Sequence, residues 1–147
     1  MKKPKVRKTL DKKTYKELEK DLDRIFSEYI RLRDADQNGY VSCITCWIIH
    51  YWSDGHQINN GHFLPRGRKA TRFDERNCHS QRVRCNMYKS GEWDIYEQRL
   101  IELYGKEVVE ELKLKSRTGT GYNGSELKEK ILEYREKVKQ IKIEKGL

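Results

Sequence analysis

Residues 77–91 read NCHSQRVRCNMYKSG. Asn77, Cys78, His79, Cys85 and Asn86 crowd into this stretch, and Lys89 and Gly91 follow them. Two other clusters point to it, Cys43-Ile44-Thr45-Cys46 and Asn60-Gly61-His62-Phe63. A Cys-x-x-Cys turn can aim two thiolates at one tetrahedral ion. Such a turn, then an isolated His in an apolar-flanked run, then a Cys-Asn segment predict a small metal-stapled core on which the rest of the chain is built. The spacing predicts a helix that starts near Asn77 or Cys78 and runs to Ser90, where Gly91 ends it.

The second cysteine pair is irregular. Cys78 and Cys85 lie seven positions apart, which on a helix is one face but about 10 Å along the axis. Both reach one ion only if Cys78 sits in the loop before the helix. A regular second Cys-x-x-Cys would put a thiol at position 82, which is Arg82. Three arrangements stay open: a Cys43/Cys46/Cys78/Cys85 zinc site, a three-Cys site completed by a His or water, or no zinc. His79 and Asn86 are also seven apart, so the predicted helix would carry them on a face next to the cysteines.

Working outward, residues 14–33 read as a helix, with Leu18, Leu22, Ile25, Phe26, Tyr29 and Ile30 at helical spacing. Thr14 and Glu17 form a capping-box pattern at its start. Asn38-Gly39 marks a tight turn after it. Tyr40-Val41-Ser42 then leads as a strand to Cys43. The run Trp47 to Trp52 is β-prone, and a second strand through Ile58 and Phe63 would pair with it as a hairpin. Downstream, helices are expected over Trp93–Tyr104 and Lys106–Lys115, and a terminal one is expected to be capped by Ser125. The organisation is a basic arm (1–13), a helix and turn (14–39), the compact core (40–91) and a helical region (92–147). The two long amphipathic end helices could pack on each other or on a second subunit, which makes a homodimer the expected state.

The chain has 147 residues, 35% apolar and 37% charged, with a formal net charge of +9. That supports one domain with a modest core and some exposed helices. The basic balance favours a polyanionic partner, above all nucleic acid. No apolar run reaches the length of a membrane span, and the basic start has no apolar segment after it. Four cysteines without a secretory leader read as reduced thiols or metal ligands, and a cytoplasmic location is expected.

Among the chemistry-bearing residues, His62 stands out because Asn77, His79 and Asn86 lie in one nearby segment. A neutral imidazole there can take a proton from water attacking phosphorus. Asn carbonyls suit a hard divalent ion that polarises the phosphate. Arg66, Arg68, Lys69, Arg72, Arg76, Arg84 and Lys89 would hold backbone phosphates without reading bases.

The stretch from Tyr29 to Gly91 resembles the NinG/Rap family of phage recombination proteins, within the wider HNH (ββα-metal) nucleases and related to recombination endonuclease VII. The matching pieces are YIRLRDADQNGYVSCITC, then GHF followed by Arg66, then TRFDERNCHSQ, then RCN and Lys89-Ser90-Gly91. The resemblance implies an α+β fold, a small zinc-stapled ββα-metal core with long flanking helices. It implies a metal-dependent endonuclease acting on branched DNA, such as Holliday junctions or D-loops, in the cytoplasm of the phage's bacterial host. His62 would be the general base and Asn77 the residue orienting the loop and that base. Asn86, together with His62, would hold a catalytic Mg²⁺ or Mn²⁺, and His79 would support the metal or a phosphate. The family usually reads Gln-Cys-x-x-Cys-Asn, and here Gln81 is followed by Arg82. HNH enzymes often carry an acidic ligand before the base, a place filled here by Gly61, as in the family. Asn59, Asn60 or Asp74 are the candidates for that missing ligand. A zinc-stabilised DNA-binding module without catalysis is the alternative.

Overall fold

The computed structural model describes residues 1–2 and 6–147, so Lys3, Pro4 and Lys5 of the expected basic arm lie outside the described residues. The order of elements is α1 (Tyr15–Asp34), β1 (Tyr40–Ser42), β2 (Ile49–Tyr51), β3 (Ile58–His62), β4 (Cys78–Arg82), α2 (Trp93–Tyr104), α3 (Lys106–Thr118) and α4 (Gly124–Lys145). This is an α+β fold, a small ββα core flanked by long helices.

Helix α1 starts as its sequence dictates. The Thr14 hydroxyl accepts from the Glu17 N–H (3.2 Å), and the Glu17 carboxylate accepts from the Thr14 N–H (2.9 Å). These reciprocal bonds satisfy two donors that a helix start leaves unpaired. The apolar stripe Leu18-Leu22-Phe26-Ile30 packs against Leu127, Ile131 and Tyr134 of α4, with Phe73 and Cys78 sealing the cluster. Phe26 meets the rings of Phe73 and Tyr134 edge-on, at 5.6 and 4.9 Å. The end helices therefore cover each other's apolar faces within one chain, and the faces that suggested a homodimer are used internally. Helix α4 is capped by Asn123 rather than Ser125. The Asn123 side chain accepts from the Glu126 N–H (2.9 Å), and Glu126 returns the bond (3.1 Å).

The strand pairing differs from the expected hairpin. β1 pairs with β2, Val41 opposite His50, and the Cys43–Cys46 turn forms the tip of that pair. β3 pairs instead with β4, with Gly61 opposite His79 and His62 opposite Cys78. The predicted helix from Asn77 to Ser90 is thus a strand followed by a π-helical turn at Arg84–Tyr88. The reason is partnership. Cys78, His79, Ser80 and Gln81 are all buried, and other elements supply bonds to the His79 ring, the Ser80 main chain and the Gln81 amide nitrogen, while Ser80 Oγ and Gln81 Oε1 have no partner. Asp34 accepts from the Ser80 N–H (2.7 Å), and Gln81 donates to the Gly91 carbonyl (2.8 Å). A solvated helix would have left those partners empty.

After the π-helical turn, Ser90, Gly91 and Glu92 all take positive φ, redirecting the chain into α2. Helices α2 and α3 enclose a second cluster of Phe63, Tyr96, Leu100 and Val109. No described helix is long and apolar enough to cross a membrane.

Candidate active site and metal centre

His62 ends β3 on the face turned to α1, beside a cavity of about 640 Å³. Asn59, Asn60 and Asn86 line the same cavity, and so do Asp23, Ser27 and Arg31 from α1. The structure thus brings His62 and Asn86 together. The ring of His62 is held by one bond, between Nε2 and the Arg72 carbonyl oxygen (2.9 Å). A carbonyl only accepts, so Nε2 carries the proton and Nδ1 is the nitrogen with a free lone pair. Burial lowers the His62 pKa to about 4, so the ring is neutral near pH 7.

Asn77 builds the loop that supplies this carbonyl. It is fully buried, its Nδ2 donates to the carbonyls of Leu64 (3.1 Å) and Thr71 (3.0 Å), and its Oδ1 accepts from the Leu64 N–H (2.8 Å). Thr71 precedes Arg72. Asn77 therefore holds the loop that orients His62, from a short 3₁₀ turn rather than from a helix start.

Asn86, in the π-helical turn, donates through Nδ2 to Asn59 Oδ1 (2.9 Å), which turns its own carbonyl oxygen away from Asn59. The Asn60 amide is buried beside the Cys78 thiol, and neither its oxygen nor its nitrogen makes a hydrogen bond of normal geometry. Of the three candidates for the missing ligand, Asn59 and Asn60 line the cavity and Asp74 does not. Asp74 is bound by Arg76 and Lys115, which outweigh its burial and hold its carboxyl down to about 2. Among the described residues, the one carboxylate in the cavity wall, Asp23, is tied to Arg72.

Gly61 has a packing reason. A Cβ there would stand 2.2 Å from Gln81 Oε1 and 2.7 Å from Gln81 Cβ. An acidic side chain at this place is therefore excluded by the partner strand.

The cysteines divide. Cys43, Cys46 and Cys85 place their sulfurs within 4.8 Å of one another, a cluster able to coordinate a metal ion. Cys78 is not among them. It lies in the α1–α4 core with its Sγ 3.6 Å from the Arg72 carbonyl, and burial pushes its pKa far up. The four-cysteine arrangement is corrected on that geometry: Cys78 starts β4 and packs into the α1–α4 core, whereas the cluster gathers at the other end of the strand, by Arg82. Position 82 brings a guanidinium instead. The Arg82 main-chain N–H donates to Cys43 Sγ (3.2 Å) and its Nη1 to Cys46 Sγ (3.7 Å). Burial opposes ionisation of Cys43, but bonds from Arg82, Thr45 and Cys46 outweigh it and lower its pKa, whereas burial raises Cys85 to about 11. The three thiols fit a zinc ion whose fourth donor comes from outside the cysteine set.

His79 does not join the His62 cavity. It points to the other face of the hairpin, between the hydroxyls of Tyr96 (3.3 Å) and Tyr104 (2.8 Å), and burial lowers its pKa to about 4. Its place in the polar core of β4 corrects the expected metal or phosphate role. The basic residues also divide. Lys69 pairs with Glu19, Arg72 with Glu19 and Asp23, Arg76 with Asp74 and Glu111, and Lys89 with Glu92. Arg66, Arg68 and Arg84 are exposed and form no ion pair among the described residues. The sequence reading missed Asp23, Ser27 and Arg31. Their spacing of four along α1 was the available signal, a polar stripe beside the apolar one.

The family profile described as Bacteriophage Lambda NinG protein matches residues 1–144. The protein ninG of Escherichia phage 933W is 35% identical over 95 residues, which cover 63% of this chain and 43% of that protein. The ninG proteins of Salmonella phage P22 and Escherichia phage lambda are 31% and 30% identical over 125 residues, covering 84% of this chain and 57% and 56% of theirs. The chain thus spans about half the length of the curated relatives it matches. No solved structure matches it.

Proposed function

The chain belongs to the NinG family, and on that premise we propose that it is a metal-dependent endonuclease that cuts branched DNA, such as a Holliday junction or D-loop, during phage recombination. One observation carries the reading: a single cavity is lined by a neutral, oriented histidine and by Asn86, whose amide nitrogen is taken by Asn59.

In the proposed reaction, His62 Nδ1 accepts a proton from a water molecule as its oxygen attacks phosphorus and the bond to the leaving oxygen breaks. With Nε2 committed to Arg72, the ring has one free nitrogen, and that nitrogen serves as the base. The divalent ion is then left to amide oxygens. Asn86 is the first, and the orphaned Asn60 amide fits an ion or its water shell. When bound, a Mg²⁺ or Mn²⁺ supplies charge stabilisation at the phosphate and the leaving oxygen. Asn77 keeps the Arg72 carbonyl in place. Exposed Arg66, Arg68 and Arg84 neutralise backbone phosphates. A zinc ion on Cys43, Cys46 and Cys85 is the proposed staple between the β1–β2 tip and the end of β4.

The test is cleavage of a labelled four-way junction beside linear duplex, with Mg²⁺ or Mn²⁺ and with chelator. Metal-dependent cutting of the junction, lost in His62→Ala with binding retained, is the expected result. The non-catalytic DNA-binding module has one observation in its favour, the lack of an unpaired carboxylate in the cavity wall. Binding without cutting under every metal would decide for it.

A further inference from the structure

Helix α1 carries two arginines near its end with opposite circumstances. Arg33 is fully engaged: its Nε bonds Asp34 (2.8 Å), and its two terminal nitrogens bond the carbonyls of Glu75 (2.9 Å) and Cys78 (2.7 Å). Arg31 lines the His62 cavity instead. Its Nε is buried without a hydrogen-bond partner, and its guanidinium forms no ion pair among the described residues. Glu28, the nearest helical carboxylate, is taken by Lys142 (2.8 Å). A half-buried guanidinium with no ion pair carries a desolvation cost, which the Glu28 charge only partly offsets. Burial accordingly lowers its pKa. The cavity offers it nothing to pair with, since the Asp23 carboxylate is held by Arg72. Arg66 stands on the same cavity wall, also without a carboxylate partner.

We propose that Arg31 is a phosphate-binding residue of this cavity, holding one backbone phosphate of the bound DNA from helix α1, with Arg66 as its companion on the loop. The proposal rests on the nuclease reading for the identity of the cavity. A planar guanidinium offers two parallel donors to a phosphate, and the absent counter-charge is the one that DNA brings. Ser27, one turn back on the same face, adds a neutral hydroxyl to the wall.

The experiment measures binding of a labelled four-way junction on the His62→Ala background, with and without Arg31→Gln, across about 50 to 300 mM KCl. Loss of one phosphate contact should lower the slope of log affinity against log salt by about 0.9. It should also weaken binding by about tenfold at low salt, the scale of one charged hydrogen bond. A junction series with single neutral methylphosphonates then locates the contact. The His62→Ala protein should lose affinity at one phosphate where Arg31→Gln loses nothing further. An unchanged salt slope together with an identical methylphosphonate profile would overturn the proposal. If Arg31→Gln does not fold, Arg31→Lys carries the same scan: a reduced loss at one phosphate supports the contact, and a profile identical to that of the protein with Arg31 refutes it. Failure of the protein with intact His62 to cut any junction would sink the nuclease reading alone and leave the binding slope to decide Arg31.

Discussion

Two histidines, His79 buried and His62 half-buried, show how position decides chemistry at the scale of one residue. His62 and His79 are both held neutral by burial, each with a pKa near 4 against an ordinary 6.5. Only His62 faces the cavity. His79 is enclosed by two tyrosine hydroxyls and serves the core. The fold favours the neutral ring, so the folded pKa lies below the unfolded one. That contribution is complete above pH 6.5 and is lost as the pH falls through about 4. A shift of this size is worth about 3 kcal/mol per ring. Urea melts between pH 7.5 and 4 should show the protein losing stability in this window. His79→Gln should lose about 2–3 kcal/mol less over the same range. An equal acid loss in the variant would mean that the ring is not held neutral.

The elements act through their junctions. The β1–β2 pair, the end of β4 and the π-helical turn meet at Cys43, Cys46 and Cys85, beside a small apolar cluster of Ala35, Val41 and Ile58 with Trp52 and Leu147 packed on it. A small region of this kind gains much of its stability from a metal staple. Metal analysis should therefore find one zinc per chain, lost in Cys46→Ser and Cys85→Ser, with a lower Tm. Cys78→Ser should keep its zinc, because that thiol lies in the other core. Zinc lost from Cys78→Ser but kept in Cys46→Ser would overturn this assignment. Arg82 belongs to the same junction. Its N–H brings a donor and its guanidinium a positive charge to the thiol cluster, where a regular ligand pair would bring a fourth thiol.

At the scale of the whole molecule, the site depends on the packing of α1. That helix buries one stripe against α4 and turns a second stripe, Asp23, Ser27 and Arg31, to the cavity. Arg72 joins the two levels. Its carbonyl holds His62, and its side chain is anchored to Asp23 and Glu19 of α1. At the far end Lys145 of α4 donates to the carbonyls of Leu32 (2.7 Å) and Arg33 (3.2 Å), which an α-helix end leaves unpaired. Phe26→Ala, at the centre of the α1–α4 contact, should cost about 3–5 kcal/mol in a urea melt. It should also weaken junction binding, because one wall of the cavity moves with α1. Full stability in that variant would show that the helices do not form one cooperative unit with the core.

Local chemistry by itself determined a good part of this protein. The Thr14–Glu17 capping box, the apolar stripe of α1 and the Cys-x-x-Cys turn depend on near neighbours or on motif spacing, so they were legible in the chain; of the residues grouped with His62, Asn86 shares its cavity, Asn77 holds the adjoining loop and His79 lies on the other face. What the tertiary structure alone decided is where polar residues find partners. Residues 78–82 form a strand that pairs with β3 and takes bonds from Asp34, Tyr96, Tyr104 and the Gly91 carbonyl, and nothing in their local pattern announces those distant groups. The same pairing sends Cys78 to one core and Cys85 to the other cluster. It also packs Gly61 against Gln81 and leaves Arg31 beside the cavity without a counter-charge. Hydrogen-bond satisfaction inside a core is a property of elements brought together from far apart in sequence, and only the folded molecule can show it.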